Sequence, residues 1–599
     1  FVELYNRGEA PVDLTGWVLE NGVHFAFAAG TTIAPGDHLV VAEDPDTLLD
    51  VFSAESIGPY QYNLSSEGER VVLRDATDDL VDEVSFGVGY PWPVASGGTG
   101  ASMELIDPHL DNDLGGSWRA SAPVFADSDL RIPTPGASNS VAADNAPPQS
   151  RQVLHTPQTP KTGEGVIVTV KVTDPQGVGA VSLEYQAVAP GAYIPSRFPV
   201  PLDTLEDAPD TPMGVNPAYL APANWEAVDL NDAGEDGDEV AGDNRYAVTL
   251  PPQGHRTLVR YRIRVEDLLG AHVTVPYEDD PSLNFAYFVY DGVPDYGEHP
   301  AELLESLPVY TLISRPEDVS EVMAYNGYEQ FSQQNNGGAN EARSAYNWSA
   351  TFVYDGIVYD HIRWRLRGSY GRYQLAGKRS FRFRFNRGHW LVAKDALGEP
   401  YAEPWRTLTT GKGFENRATL TYDLNCVVNN HLMRSVGVPA PYWHWFHFRV
   451  LDGVDEAPDP WTGDFWGLHS ATETYDKRFL DSHGLPKGNL YKLVYAKSAG
   501  VEQRRYQAPD AVSDGSDHDN IEANVTGYST ASYIRAHVNL PNWYAYHAVA
   551  EAVRHYDFWP NGNKNQVYYF SPDYEPANSG YGRLWVLPWD SDSSWGPTW

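Results

Sequence analysis

Glycine and proline interrupt this chain at short intervals, and this limits what it can fold into. The sequence has 52 Gly and 45 Pro among 599 residues. Both residue types mark turns and end helices, so the pattern favours short strands joined by turns. A chain of this length is also too long for one hydrophobic core, and we expect about two to four domains.

Charge and cysteine content narrow the class of protein. The formal net charge is −39, which argues against a nucleic-acid or anionic-membrane partner, since like charges repel. The single cysteine, Cys426, lies in an apolar run and is interpreted as a buried structural thiol.

No apolar stretch reaches the roughly eighteen residues of a membrane span. The chain opens at Phe1 without a signal peptide, and we interpret this start as a cut or processed end.

Residues 1–140 are predicted to be all β, because short alternating runs are separated by Gly, Pro and Asn turns. Four phrases in this segment resemble the lamin-tail domain. They are Val2-Glu-Leu-Tyr-Asn6, Val12-Asp-Leu-Thr-Gly-Trp17, Ile33-Ala-Pro-Gly-Asp37 and Pro133-Thr-Pro-Gly-Ala-Ser-Asn139. The resemblance implies an immunoglobulin-like sandwich that serves attachment and carries no catalytic residues.

A second sandwich, immunoglobulin- or fibronectin-like, is predicted for residues 151–300 after a polar linker. Runs that start at Val166 and Val259 alternate as strands do. Between them, carboxylates and glycines from Asp232 to Asp243 could wrap a structural Ca²⁺, which prefers several oxygen ligands. The other interpretation of this segment is a solvated acidic turn.

Residues 308–599 mix strand and helix patterns, which predicts an α+β catalytic domain. Apolar residues recur three and four apart in Ala418 to Val436 and in Asn542 to His555, so both segments are expected to be helical.

A basic window without any acidic residue runs from Arg363 to Lys394. In its second strand, we expect Lys378, Arg382 and Arg384 on one face and Phe381, Phe383 and Phe385 on the other. Gly368 and Gly371 between the two strands would let backbone N–H groups approach an anion, and the cations would hold a polyphosphate. A solvated basic face or a lattice of salt bridges is the alternative.

Oxygen ligands cluster towards the end of the chain. Asp557 is followed by Asn565, and an apolar strand then ends at Asp590 and Asp592. A carboxylate beside the acceptor hydroxyl, with Asn and Asp on Mg²⁺, is the arrangement that phosphoryl transfer uses. As a pattern alone, Asp-x-Asp is equally compatible with a structural turn.

With both clusters in view, residues 308–599 resemble the CotH kinase family. The matching motifs are Arg365-Leu-Arg-Gly368, Lys378-Arg-Ser-Phe-Arg382, Val436-Gly-Val-Pro-Ala-Pro441, Gly488-Asn-Leu-Tyr-Lys492 and Trp589-Asp-Ser-Asp592 with Gly596. The resemblance implies an atypical protein-kinase-like fold. It also implies ATP-dependent phosphorylation of Ser or Thr on secreted or coat proteins with Mg²⁺ or Mn²⁺.

The resemblance also implies roles for individual residues. Lys378 would hold the α- and β-phosphates beside Arg367 and Gly368, and Asp557 would orient the acceptor hydroxyl. The metal would lie on Asn565, Asp590 and Asp592, and Glu473 would lie near the adenine or serve as a carboxylate at the edge of the core. The glutamate that should pair with Lys378 is not evident, and Glu415 and Asp423 both flank the long helix.

Two departures from the family pattern leave alternatives open. Asn565 lies eight residues after Asp557 where kinases have about five, so Asn561 or Asn563 could be the ligand. The chain also stops at Trp599, where family members continue, and we interpret the domain as incomplete at its C-terminus.

From the resemblance as a whole, we predict an extracellular or cell-surface bacterial kinase. The alternative is an adhesion or scaffold protein with a degenerate kinase-like domain.

Overall fold

The computed structural model divides into two compact units. The first comprises Phe1–Ala189, Leu220–Asp291 and Asn386–His389, and the second comprises Pro190–Tyr219, Gly292–Phe385 and Trp390–Trp599. The structure describes residues 1–125, 130–324, 345–367, 378–395, 397–413, 423–456, 464–493, 502–509, 511–525, 527–555, 566–572, 581–591 and 594–595. The predicted domain boundaries stay predictions.

The first part of the first unit is built from ten short antiparallel strands. They are β1 (Val2–Tyr5), β2 (Val12–Asp13), β3 (Val18–Asn21), β4 (Phe25–Ala26), β5 (Thr32–Ile33), β6 (His38–Val41), β7 (Glu69–Arg74), β8 (Leu80–Phe86), β9 (Met103–Leu105) and β10 (Trp118–Ala120), with helix α1 (Pro45–Phe52) after β6. The largest sheet has the order β4-β3-β7-β8, and the remaining strands pair as β1-β6, β2-β5 and β9-β10. The core between them is apolar and includes Leu14, Leu19 and Val41.

The second part of the first unit consists of two antiparallel sheets. Their strands are β11 (Gln149–Thr156), β12 (Val166–Thr173), β13 (Val178–Val188), β16 (Glu226–Asp229), β17 (Arg245–Leu250), β18 (Thr257–Asp267), β19 (His272–Val275) and β20 (Phe285–Val289). One sheet has the order β11-β12-β17, and the other has the order β16-β13-β18-β19 with β20 also paired to β18. Alternate residues of β12 are fully buried, because one face of the sheet covers the apolar core.

The second unit contains a closed barrel of seven strands. They are β21 (Val309–Ile313), β22 (Trp348–Tyr354), β23 (Ile357–Arg367), β24 (Ser380–Arg384), β25 (Thr407–Gly411), β26 (Trp443–Leu451) and β27 (Phe465–Thr472), joined in the order β21-β22-β23-β24-β25-β27-β26. Parallel pairing of β21 with β26 closes the barrel. Buried aromatic residues, among them Trp348, Trp364 and Trp466, fill its interior.

A four-stranded antiparallel sheet follows the barrel in the chain. Its strands are β28 (Asn489–Leu493), β29 (Glu502–Tyr506), β30 (Gln566–Ser571) and β31 (Arg583–Pro588), in the order β29-β28-β30-β31. The remaining elements of this unit are β14 (Arg197–Phe198), β15 (Gly214–Val215), α2 (Leu202–Asp207), α3 (Pro217–Leu220), α4 (Ala301–Leu304), α5 (Pro316–Ala324), α6 (Leu424–Ser435), α7 (Lys477–Ser482), α8 (Ser516–Asn524), α9 (Ala531–His537) and α10 (Leu540–Ala552). An apolar cluster joins α6, α10 and β31.

Both predicted helices are present with shifted bounds. The helix α10 begins before the predicted Asn542, because the side chain of Asn539 caps its N-terminus and Pro541 suits the first turn. It ends before the predicted His555, because Arg554 adopts a left-handed backbone conformation with φ of 55°. The helix α6 is described from Leu424, and the predicted residues 418–422 lie outside the described part.

The alternation predicted for the basic window is confirmed in β24. Phe381 and Phe383 are fully buried, whereas Arg382 and Arg384 are more exposed. The prediction was wrong for Lys378, which is only 2 % exposed. The reason is that β24 begins at Ser380, so Lys378 does not continue the pleat of the strand.

Within the described residues, no helix has the length and apolar character needed to cross a membrane.

Removing a side chain from the barrel interior tests whether the seven strands enclose an apolar core. Phe383→Ala should lower the free energy of unfolding of the second unit by about 3–5 kcal/mol, because it deletes a fully buried ring and leaves a cavity. Leu397→Ala is the control, since Leu397 is 87 % exposed, and it should cost less than about 0.5 kcal/mol. Urea denaturation of both variants provides the measurement, and equal shifts would contradict the barrel.

Candidate functional site

Two buried lysines and a carboxylate meet at one edge of the barrel. Lys378 precedes β24 and Lys412 follows β25, and both are almost completely buried. Burial lowers the pKa of Lys378 to about 7, with the charge of Asp423 acting to raise it and that of Lys412 to lower it further. Lys378 therefore exchanges its proton near neutral pH, which makes its charge sensitive to any nearby anion.

Asp423 is held against these lysines by a strained backbone. It immediately precedes α6 in a left-handed conformation with φ of 61°, and its side chain does not cap the helix. The carboxylate instead accepts a short hydrogen bond from Ser470 Oγ on β27. A Cβ on Gly411 would lie 2.2 Å from Asp423 Oδ2, so only glycine leaves room for this carboxylate. Strain of this kind is concentrated at functional sites.

A second group of charges, which we call the cation junction, joins the barrel to the four-stranded sheet. Lys492 on β28 lies at its centre. Burial lowers the pKa of Lys492 well below its usual value, and the positive charges of Arg505, Arg367 and Arg382 lower it further. The negative charge of Asp590 opposes them. Three arginines and one carboxylate thus come within electrostatic range of Lys492.

Asp476 supplies the other negative charge at the cation junction. It caps α7 by accepting hydrogen bonds from the backbone N–H groups of Arg478 and Phe479. Burial raises the pKa of Asp476 to about 6, and its charge acts on both Arg382 and Arg505. Among the described residues, the cation junction therefore holds four cations against two carboxylates, and this excess favours a bound polyanion.

The lysine pair and the cation junction lie beside each other. Arg367 Nη1 donates to the backbone carbonyl of Thr410 at 3.2 Å, next to the end of β25 that leads to Lys412. The helix α6, which begins after Asp423, also holds the chain that follows Asp590. Asn429 Nδ2 on this helix donates to the carbonyl of Ser591 at 2.9 Å.

Asp590 itself has a left-handed backbone conformation with φ of 51°. It follows Trp589 at the end of β31, and the Trp589 ring lies 4.1 Å from Lys492 Nζ. Both carboxylates that act on buried lysines, Asp423 and Asp590, thus occupy backbone conformations that non-glycine residues seldom adopt. The sequence around them gives no glycine or turn signal for this strain.

The structure brings three of the predicted site residues to this region, namely Lys378, Arg367 and Asp590. Gly368, Asp557, Asn565 and Asp592 lie outside the described residues, as do Asn561, Asn563 and Glu415. Their predicted roles stay predictions.

Glu473 has partners of a different kind. It is 3 % exposed, and its Oε2 accepts from the Tyr442 backbone N–H at 3.1 Å and lies 2.9 Å from His483 Nε2. Its charge is not among those that act on Lys378 or Lys492. These contacts join the residue before β26 to the residue after α7. Its predicted role near the adenine stays a prediction.

Sequence reasoning missed several residues of the site. Lys412 and Lys492 were given no role, although Lys412 directly follows the strand β25, and a lysine in that position is a usable signal. Asp423 was weighed as a partner of Lys378 but not chosen, and the structure favours it on electrostatic grounds. Asn429 faces the chain end from inside a helix, where a buried Asn requires a partner.

The acidic segment of the first unit gathers three carboxylates. One oxygen each of Asp232, Asp238 and Asp243 lies within 4.8 Å of the others. Hard oxygen donors suit Ca²⁺, but Asp232 also accepts backbone N–H groups of Gly242 and Asn244. The calcium prediction stays a prediction.

Fold and site together define a multidomain, mostly β chain whose second unit gathers buried cations around two strained carboxylates. Comparison with protein-family models matches two segments of the chain. The model of the Lamin Tail Domain, an immunoglobulin-like module, matches residues 1–87. The model of the CotH kinase protein matches residues 426–599. The predicted resemblance and its order along the chain are confirmed. A search of curated proteins found no match.

The second match covers only part of the site. It includes Asp590 and Lys492 but not Arg367 or Lys378, so the role of Lys378 rests on its own motif and on its surroundings in the barrel.

Gly411→Ala tests the packing around Asp423. The added methyl group would displace the carboxylate and Ser470 Oγ, so we expect a loss of about 1–3 kcal/mol in the free energy of unfolding. Gly214→Ala is the matched control, because its Cβ would meet nothing within 4 Å. Most of the loss should disappear when Gly411→Ala is measured in an Asp423→Ala background. A loss of the same size in both backgrounds would contradict the contact.

The lowered pKa of Lys378 predicts a pH dependence of stability. Between about pH 7 and pH 10 the unfolded chain binds the Lys378 proton more tightly than the folded chain, so stability should rise with pH in that window. Relative to Lys378→Met, wild type should gain at most about 1.4 kcal/mol per pH unit. Denaturation at several pH values measures this, and exposed Lys487→Met should show no such trend relative to wild type. Parallel curves for wild type and Lys378→Met would refute the assignment.

Proposed function

We propose that the second unit is an ATP-dependent protein kinase that phosphorylates Ser or Thr residues of extracellular or surface proteins. The observation that supports this most is the meeting of the Lys378–Asp423 pair with the cation junction, which contains Asp590. The two groups are linked through Arg367 and α6. A polyphosphate next to a reactive acceptor is the ligand that such an excess of buried cations fits best.

Lys378 would bind the α- and β-phosphates of ATP, and Asp423 would orient its ammonium group. A buried lysine with a pKa of about 7 gains its full charge when a phosphate arrives, because the anion favours the protonated form. Asp423 would thus take the part of the glutamate that pairs with the phosphate-binding lysine in protein kinases.

Arg367, Arg382, Lys492 and Arg505 would neutralise the remaining phosphate charge. Arginine keeps its charge when it is buried, and its planar group can contact two phosphate oxygens at once. The two carboxylates of the cation junction would keep these side chains in place while no nucleotide is bound.

Asp590 is a suitable ligand for a divalent metal, with Asn565 and Asp592 as the residues that would complete the set. Carboxylate and amide oxygens are the donors that Mg²⁺ and Mn²⁺ accept. A metal bound there would screen the phosphate charge during transfer. Asp557 would orient the acceptor hydroxyl and take its proton as the acceptor oxygen bonds to the γ-phosphorus of ATP. The bond between that phosphorus and the β-phosphate oxygen would break in the same transfer, and ADP would leave.

The second candidate is a non-catalytic surface or scaffold protein. One contact favours it, because Lys378 Nζ makes a short hydrogen bond to the backbone carbonyl of Leu468. A lysine engaged by its own chain must exchange that bond for a phosphate before it can act. The lamin-tail match is compatible with either candidate, since attachment serves an enzyme and a scaffold alike.

Nucleotide binding and phosphoryl transfer by the full chain separate these candidates. Wild type should bind ATP in the presence of Mg²⁺ or Mn²⁺ and label a Ser-rich acceptor protein with radioactive phosphate. Asp590→Ala and Lys378→Met should each lower labelling by about a hundredfold or more, because each removes a charge that acts on the phosphates. Exposed Asp519→Ala and Lys487→Met should label as wild type does.

The outcomes point in different directions. Absence of nucleotide binding by wild type would refute the kinase and support the scaffold. Binding without transfer, unchanged in Asp590→Ala, would refute the metal-binding role of Asp590.

A further inference from the structure

Four exposed arginines lie together on the second unit beyond the cation junction. We call Arg197, Arg363, Arg384 and Arg406 the arginine row. Arg363 and Arg384 are directly opposite each other on the paired strands β23 and β24, and the charges of Arg197 and Arg406 both act on Arg363. All four side chains are exposed.

The arrangement of the arginine row is electrostatically unfavourable by itself. Like charges directly opposite each other on neighbouring strands destabilise a sheet, and Arg365 and Arg382 form a second such pair one step along. Within the described parts of the chain, none of the four residues forms an ion pair with a carboxylate. The charge of Asp476 acts on Arg384 and on Arg406, so one carboxylate opposes part of this repulsion. A row of four arginines that is only partly compensated indicates a surface whose charge is neutralised by a partner.

The row differs from the cation junction in exposure, although the two groups share Asp476 as an electrostatic neighbour. Residues of the junction are at least partly buried and include Asp590, whereas Arg363 and Arg384 keep an exposed part of the side chain, although the surrounding protein desolvates both enough to lower their pKa values. Arg382 connects the two groups, because its charge also acts on Arg384. A ligand on the row would therefore lie next to the proposed phosphate site without filling it.

We propose that the arginine row docks an acidic, extended polypeptide segment of a partner protein. Neighbouring strands set their arginines about 4.8 Å apart, and the long side chains let guanidinium groups meet carboxylates along a peptide bidentately. A nucleic acid fits less well, because it extends beyond the row, where a chain of net charge −39 repels it within the screening distance of about 8 Å. The inference does not depend on phosphoryl transfer.

Fluorescence anisotropy with a labelled oligo-glutamate peptide of about ten residues tests the proposal on the full chain. Wild type should bind the peptide at low salt, and Arg363→Gln/Arg384→Gln should bind at least about tenfold more weakly. The matched control is Arg70→Gln/Arg264→Gln. It removes two exposed arginines from the first unit and leaves the same net charge, so it should bind as wild type does.

Folding is checked by thermal denaturation, in which the Arg363/Arg384 variant should keep or raise its midpoint because like-charge repulsion is removed. If it fails to fold, Arg406→Gln takes its place with a smaller expected loss of binding. If the control variant binds the peptide as weakly as the Arg363/Arg384 variant, the effect is due to net charge alone and the proposal is overturned. It is also overturned by unchanged binding in the row variants, by full competition from ATP with Mg²⁺, or by equal binding of a single-stranded oligonucleotide.

Discussion

Burial of positive charge is the constraint on which the second unit depends. A buried lysine or arginine loses its hydration, and a protein normally compensates this with a carboxylate at hydrogen-bonding distance. Here Lys378, Lys412 and Lys492 are taken out of water at the junction of a barrel and a sheet. The pKa values of Lys378 and Lys492 fall as a result, so the folded chain accepts an electrostatic cost that a bound polyanion would remove.

The two carboxylates that oppose this charge are held in place by local strain. Asp423 and Asp590 have positive φ angles of 61° and 51°, which for non-glycine residues cost on the order of 1–3 kcal/mol each. Asp423 is held by Ser470 and by the space that Gly411 leaves, and the segment after Asp590 is held by Asn429. The rest of the unit therefore stabilises a geometry that the local backbone disfavours.

The features that could be predicted from the sequence are those that depend on residues close together in the chain. The alternation of Phe381 and Phe383 with arginines is local, so the sequence predicted the faces of β24 correctly. Closure of the barrel depends on the parallel pairing of Val309–Ile313 with His447–Leu451. The periodicity of a local sequence segment cannot reveal a contact between strands so far apart in the chain. The role of Lys492 was equally invisible, because its neighbours Arg367 and Arg382 lie more than a hundred residues earlier in the chain. Motif resemblance reached further, since it identified Asp590 from a short signature that the CotH match also includes.

Lysine and arginine contribute different properties to this region. The arginines stay charged at any pH the protein meets, so they supply a constant attraction for anions. Lys378, with a pKa of about 7, is charged in only part of the molecules near neutral pH and becomes fully charged when an anion approaches. The arginines thus attract anions at every pH, whereas the charge of Lys378 depends on whether an anion is bound beside it. Lys378 also donates a short hydrogen bond to the Leu468 carbonyl, and in the proposed site a phosphate would have to replace that carbonyl as the acceptor. A ligand with several negative charges would protonate Lys378 and compete with the carbonyl more strongly than a singly charged anion would, which is the physical reason for proposing a polyphosphate at this site.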